Sequence, residues 1–276
     1  MSAVVIGLAL FAAILHATWN AFLRSGGDRL WTVTVMSFAS TAFALPFLFI
    51  YPLPVSAAWL YIVLSAVLQV GYSIFLVAAY RYGELGQVYP IVRGTVPLLV
   101  TIGAFVITGA KPTLYQIAGV VLVAAGIMSL ALGKGRASTS SILFALATGA
   151  IIAAYATVDS IGVRQTGQSG AYAAWVLVFY GAFLPVTFLA LRRRLLVDFR
   201  ARDTWKALGG GVVAMIAYGV VVAAFALGPA GPITALRETS VVFAALIGWM
   251  FLGETLTAGR VLACVIVAAG AILIGL

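Results

Sequence analysis

Four ionisable residues stand inside apolar stretches of this chain, where charge is costly. Arg237 and Glu238 are neighbours within PITALRETSVVFAALIGWMFLGETLT (residues 232–257), and Asp159 follows Tyr155 in another apolar run. Arg93 occupies a matching stretch, VYPIVRGTVPLLVTIGAFVITGAKPT (residues 88–113). A charge at the centre of a bilayer costs about 2.5–3.5 kcal/mol on insertion scales, so these residues are expected to face protein or water. A guanidinium held there suits a carboxylate or a phosphate, which it meets with a planar fork of donors. Asp159 or Glu238 suits an ammonium. The competing reading is structural: Arg237 pairs with Glu238 or Asp159, and Arg93 caps backbone carbonyls. Consecutive helical side chains point about 100° apart, so Arg237 and Glu238 are expected to be poor partners for each other.

Around these charges stand polar and aromatic residues at helical spacing. His16 is the single histidine, one turn before Asn20 and three residues before Trp19. Tyr155 and Asp159 repeat the same four-residue spacing, so each pair shares a helix face. A histidine there suits proton transfer or a fixed hydrogen bond, and no carboxylate or thiol stands at ligand spacing to make a metal site. Tyr72 lies beside Gln69 and Ser73, and Tyr89 lies one turn before Arg93. With Trp19 they form a candidate pocket for an apolar or aromatic group. Pro90, Gly94 and Pro97 weaken one helix around Arg93, while Gly231 and Pro232 end a stiff turn just before Arg237. Interrupted helices at matching positions point to a binding site and its gates.

The elements that must position these residues are membrane helices. Of 276 residues, 64% are hydrophobic and only 8% charged, too few charges to cover a soluble surface. The +9 net charge is scattered through short loops, so it reads as a topology signal at the lipid surface and not as a nucleic-acid face. Cys264 is the lone cysteine, which excludes an intrachain disulfide. The amino terminus lacks a basic leader and reads as a retained first helix. Apolar runs predict ten spans, near 3–23, 31–50, 57–80, 87–109, 114–132, 141–163, 171–191, 205–227, 232–252 and 258–276.

The chain also repeats. A shift of 144 lays Arg93 on Arg237, Gly109 on Gly253, Thr113 on Thr257 and Gly126 on Gly270. A shift of 139 lays His16 on Tyr155, Asn20 on Asp159 and Pro46 on Pro185. Residues 1–133 and 141–276 therefore read as two five-helix repeats, and an odd helix count inverts the second in the membrane. The two arginines are then expected to flank the midplane from opposite faces. Spans five and ten, with Gly119, Gly126, Ala263 and Gly270, read as close-packed scaffold. Of the sixteen Lys and Arg residues, twelve fall in the odd-numbered loops and only Lys111 and Arg164 in the even ones. The positive-inside rule puts the twelve in the cytoplasm and both termini outside.

Ten helices, a five-helix repeat and Leu252-Gly253-Glu254-Thr255-Leu256-Thr257 before a small-residue last helix resemble the EamA-type members of the drug/metabolite transporter superfamily. The first-half copy, Gly109-Ala110-Lys111-Pro112-Thr113, lacks the acid. The resemblance implies an all-α fold around a central cavity, built from spans one to four and six to nine. It implies a secondary transporter in a cell inner (plasma) membrane, without cofactor and with a small-molecule substrate. Among such proteins are exporters of amino acids, including YddG-type exporters of aromatic ones. Many relatives keep their termini inside, and the charge bias here departs from that. Span one lacks the glutamate on which the smaller four-helix multidrug members rely. The expected function is alternating-access export of small zwitterionic metabolites, foremost amino acids. The alternative is an exchanger of anions such as sugar phosphates or nucleotide sugars. A channel lacks its charged ring here, and a membrane enzyme lacks its catalytic constellation. No second copy is called for, and a monomer is expected.

Overall fold

The computed structural model describes residues 1–24, 28–82, 85–131, 138–252 and 256–276, with backbone alone at 21, 23–24, 77, 80–82, 85–87 and 251–252. Among them the regular structure is entirely helical: α1 (Ala3–Arg24), α2 (Arg29–Ala44), α3 (Phe47–Ile50), α4 (Ser56–Tyr82), α5 (Leu85–Thr108), α6 (Leu114–Ser129), α7 (Thr139–Thr166), α8 (Ser169–Arg192), α9 (Arg202–Leu227), α10 (Ala230–Glu238), α11 (Ser240–Leu252) and α12 (Ala258–Gly275). Among the described residues, nine segments of 18 to 28 residues are long and apolar enough to cross a membrane. The remaining apolar helix, α6, has 16 residues and spans about 24 Å.

Two of the predicted spans are each built from two helices. Pro46 separates α2 from α3, as expected where a missing N–H and a ring clash interrupt the ladder. The other break follows Glu238. There Thr239 donates its N–H back to the Leu236 carbonyl at 3.1 Å, and its hydroxyl donates to the same oxygen at 2.6 Å. These tighter bonds end α10 before α11 begins at Ser240. α5, in contrast, runs unbroken through Pro90 and Pro97, so the expected interruption around Arg93 is absent. One turn on, the Thr101 hydroxyl donates to the Pro97 carbonyl at 2.7 Å.

Helix pairing follows the repeat. α4 packs on α7 as α9 packs on α1, α5 on α7 as α10 on α1, and α2 on α9 as α8 on α4. Swapping each first-half helix for its second-half equivalent turns each of these pairs into another observed pair. α6 and α12 face each other. A Cβ on Gly119 would stand 2.6 Å from the Gly270 carbonyl oxygen, and one on Gly270 would stand 2.8 Å from that of Gly119. Gly126 meets Val267 as Gly270 meets Val123. Small residues thus bring the two backbones together where lipid offers no hydrophobic drive for association. Both helices also start alike. The Thr113 hydroxyl accepts from the Gln116 N–H at 3.2 Å, and the Thr257 hydroxyl accepts from the Arg260 N–H at 3.4 Å. In the LGETLT motif, Gly253, Glu254 and Thr255 lie outside the described residues, while its closing threonine is a helix N-cap.

A Gly270→Leu substitution should therefore push α6 and α12 apart, at an overpacking cost of about 1–3 kcal/mol. Thermal unfolding in detergent should show a lowered midpoint. Gly7→Leu, at a position with nothing within 4 Å of a new Cβ, should leave the midpoint near that of the parent protein.

Candidate functional site

The interior charges gather into two clusters rather than one. In the first, Glu238 is the bridge. Its Oε1 accepts from Arg93 Nη1 at 3.3 Å and from Arg237 Nη2 at 3.1 Å. The three residues are only 5%, 7% and 0% exposed for Arg93, Arg237 and Glu238. Both residues lie within α10, which ends at Glu238, and the long arginine side chain reaches the neighbouring carboxylate through its terminal Nη2 despite the 100° separation of consecutive positions. Arg93 comes from the other half, on α5, and stacks against Tyr89 with its guanidinium 5.4 Å from the ring centroid. Its Nε also donates to the Tyr89 hydroxyl at 3.3 Å. The arginines do not flank the midplane as separate poles. They share one counter-charge, and Arg93 is an ion-pair partner rather than a cap on backbone carbonyls.

The second cluster surrounds Asp159 on α7. Its Oδ1 accepts from the Tyr172 hydroxyl at 2.9 Å and its Oδ2 from the Tyr218 hydroxyl at 3.1 Å. Gly162, one turn later on α7, makes room for the Tyr172 ring, since a Cβ there would stand 2.5 Å from it. Among the described residues Asp159 has no ion pair, although it is 1% exposed. Neither tyrosine was foreseen. Tyr172 and Tyr218 have no tyrosine at the equivalent repeat position, and both sit in apolar runs that resemble lipid-facing anchors.

Between the clusters lies a cavity of about 150 Å³, room for several waters or a small polar solute. Arg237 and Asp159 line it from α10 and α7, and Tyr218 and Tyr180 from α9 and α8. His16 and Trp19 contribute from α1, Gln69 and Tyr72 from α4, and Tyr155 from α7. Arg93, Glu238 and Tyr89 stand behind this wall and do not line it. Gln69 donates to the Ser65 hydroxyl at 3.0 Å, and Ser73 shares a 3.3 Å hydrogen bond with Tyr180. Tyr72 and Tyr155 meet at 6.2 Å between ring centroids.

The proposed gates are packed. A Cβ on Gly94 would meet Met128 of α6 at 2.5 Å, and Gly231 abuts Thr101 of α5 with no space for one. Pro90 and Pro232 are buried. Pro97 lies in the middle of the uninterrupted α5.

Removing the shared charge should be severe, because two buried guanidiniums would lose their counter-ion. Glu238→Gln is expected to lower unfolding stability by about 3–5 kcal/mol, measured by denaturant titration in micelles. A parent-like titration would mean that the bridge contributes little.

A solved crystal structure superposes on this chain with a TM-score of 0.75, covering 98% of this chain and 94% of its own at 16% identity. That likeness is one of fold. No curated protein matches the sequence. The sequence does match the EamA-like transporter family, over residues 3–132 and again over 139–276. The two matches take in nearly the whole multi-pass bundle, each half carrying one wall of the cavity, and the chain belongs to the EamA-like transporter family.

Proposed function

We propose that this transporter carries small zwitterions, foremost amino acids with aromatic or apolar side chains, by alternating access. The observation behind this reading is that Arg237 and Asp159 line one cavity yet bind different partners. A guanidinium and a carboxylate kept apart in a shared chamber complement the two ends of an amino acid. The carboxylate would meet Arg237, and the ammonium would meet Asp159 with its tyrosine hydroxyls. Trp19, Tyr72, Tyr155 and Tyr180 would line the side-chain pocket, which favours an exporter resembling the YddG-type group. The cavity extends to Arg29 at the start of α2. By charge bias that face is cytoplasmic, so the substrate would enter from inside the cell.

The phosphate-exchanger alternative is less well served. Glu238 already offsets one of the two guanidiniums, and only Arg237 reaches the chamber. With Asp159 included, the four formal charges cancel. Arg29 at the end of the cavity adds a single positive charge, less than a doubly charged phosphate would need, whereas a zwitterion needs none.

Counterflow of radiolabelled phenylalanine in proteoliposomes tests the substrate class. Arg237→Gln and Asp159→Asn should each cut transport efficiency about tenfold to a hundredfold, the worth of one charged hydrogen bond, without unfolding the protein. Unchanged flux in both variants, or competition by sugar phosphates but not by amino acids, would sink the zwitterion reading.

Orientation has its own measurement. In a Cys264→Ser background, a cysteine at Lys111 should react with a membrane-impermeant maleimide added outside cells. One at Arg194 should react only after permeabilisation. The reverse pattern would invert the assigned topology.

A further inference from the structure

His16 carries an asymmetry that its single-residue chemistry does not require. Trp19 donates its indole N–H to His16 Nδ1 at 3.1 Å, with the rings perpendicular at 89°. An indole nitrogen only donates, so Nδ1 is the acceptor and the imidazole proton sits on Nε2. That Nε2 is buried and has no hydrogen-bond partner among the described residues. Arg237 Nε is in the same condition. Among the described residues holding buried, unpartnered side-chain atoms, only His16 and Arg237 line the central cavity; Ser141, Thr234, Glu238 and Ser240 do not.

An unmade hydrogen bond at a buried donor is expensive, so two such donors in one wall call for a partner that comes and goes. Both are N–H groups without acceptor capacity, and their complement is a group that only accepts. A carboxylate fits, with one oxygen for each donor. The protein's own carboxylate nearby, Glu238, is bound through Oε1 to the Nη atoms of both arginines and does not line the cavity.

We propose that His16 Nε2 and Arg237 Nε together form the cradle for the substrate carboxylate, with Trp19 fixing the histidine tautomer that makes it a donor. This rests on the amino-acid reading above and assigns His16 a specificity role in place of a proton-carrying one. The histidine selects an α-carboxylate over an α-carboxamide, because the amide nitrogen would present hydrogens to the second donor.

The test compares binding of L-phenylalanine and L-phenylalanine amide to the purified full-length protein by ligand-induced thermal stabilisation. His16→Leu should weaken phenylalanine binding about tenfold to a hundredfold and leave binding of the amide within about twofold of the parent. His16→Gln, which carries an amide N–H at similar reach, should restore most of the loss. If His16→Leu weakens both ligands equally, or if glutamine restores nothing, the cradle is wrong while amino-acid binding stands. If the parent protein binds the amide as tightly as the acid, the cradle is likewise wrong. If the parent binds neither, the zwitterion reading falls and the cradle falls with it.

Discussion

A single buried carboxylate joins the two halves of this transporter at its centre. Glu238, fully enclosed, receives Arg237 from its own helix and Arg93 from α5 of the other half. Desolvating two guanidiniums inside a membrane protein is tolerable only with a counter-charge in contact, and one carboxylate serves both. The arrangement fixes the end of α10 against α5, and it holds Arg237 at the cavity wall. The geometry of the chamber therefore depends on an ion cluster of which only Arg237 lines it.

The second interior acid is satisfied by other means. Asp159 has tyrosine hydroxyls on both oxygens, from α8 and α9. These bonds tie α7 to its neighbours without neutralising the charge. One side of the chamber is thus a shared cation and the other a solvated-like anion, each held by helices from a different part of the fold. Such a polarised hollow lined by aromatic rings would suit the ligand with unlike ends proposed above, since few well-placed polar groups suffice to orient a ligand in an apolar pocket.

Much of this was legible in the residues, and the failures have physical causes. Ten spans follow from apolar run length, and the repeat from paired arginines and threonines. The threonine match has a local meaning: Thr113 and Thr257 cap the starts of α6 and α12. The Arg237–Glu238 contact was illegible because helical spacing fixes only where side chains leave the helix, and a long arginine can reach round to its neighbour; the break at Thr239 follows no proline or glycine. Prolines misled in the opposite sense at α5, which runs unbroken through both Pro90 and Pro97. Tyr172 and Tyr218 carried no signal at all, since a tyrosine in an apolar run looks the same whether its hydroxyl meets headgroups or a buried acid.

The glycine-lined seam between α6 and α12 has a practical corollary. Cys264, the lone thiol, sits half-buried on α12, a helix whose largest interface is with α6 and which does not line the chamber. A spin label or fluorophore attached there needs no cysteine removed elsewhere and leaves every cavity residue native. Paired with a second probe on α4 or α9, it supplies a built-in benchmark against which movements of the substrate-handling helices can be gauged.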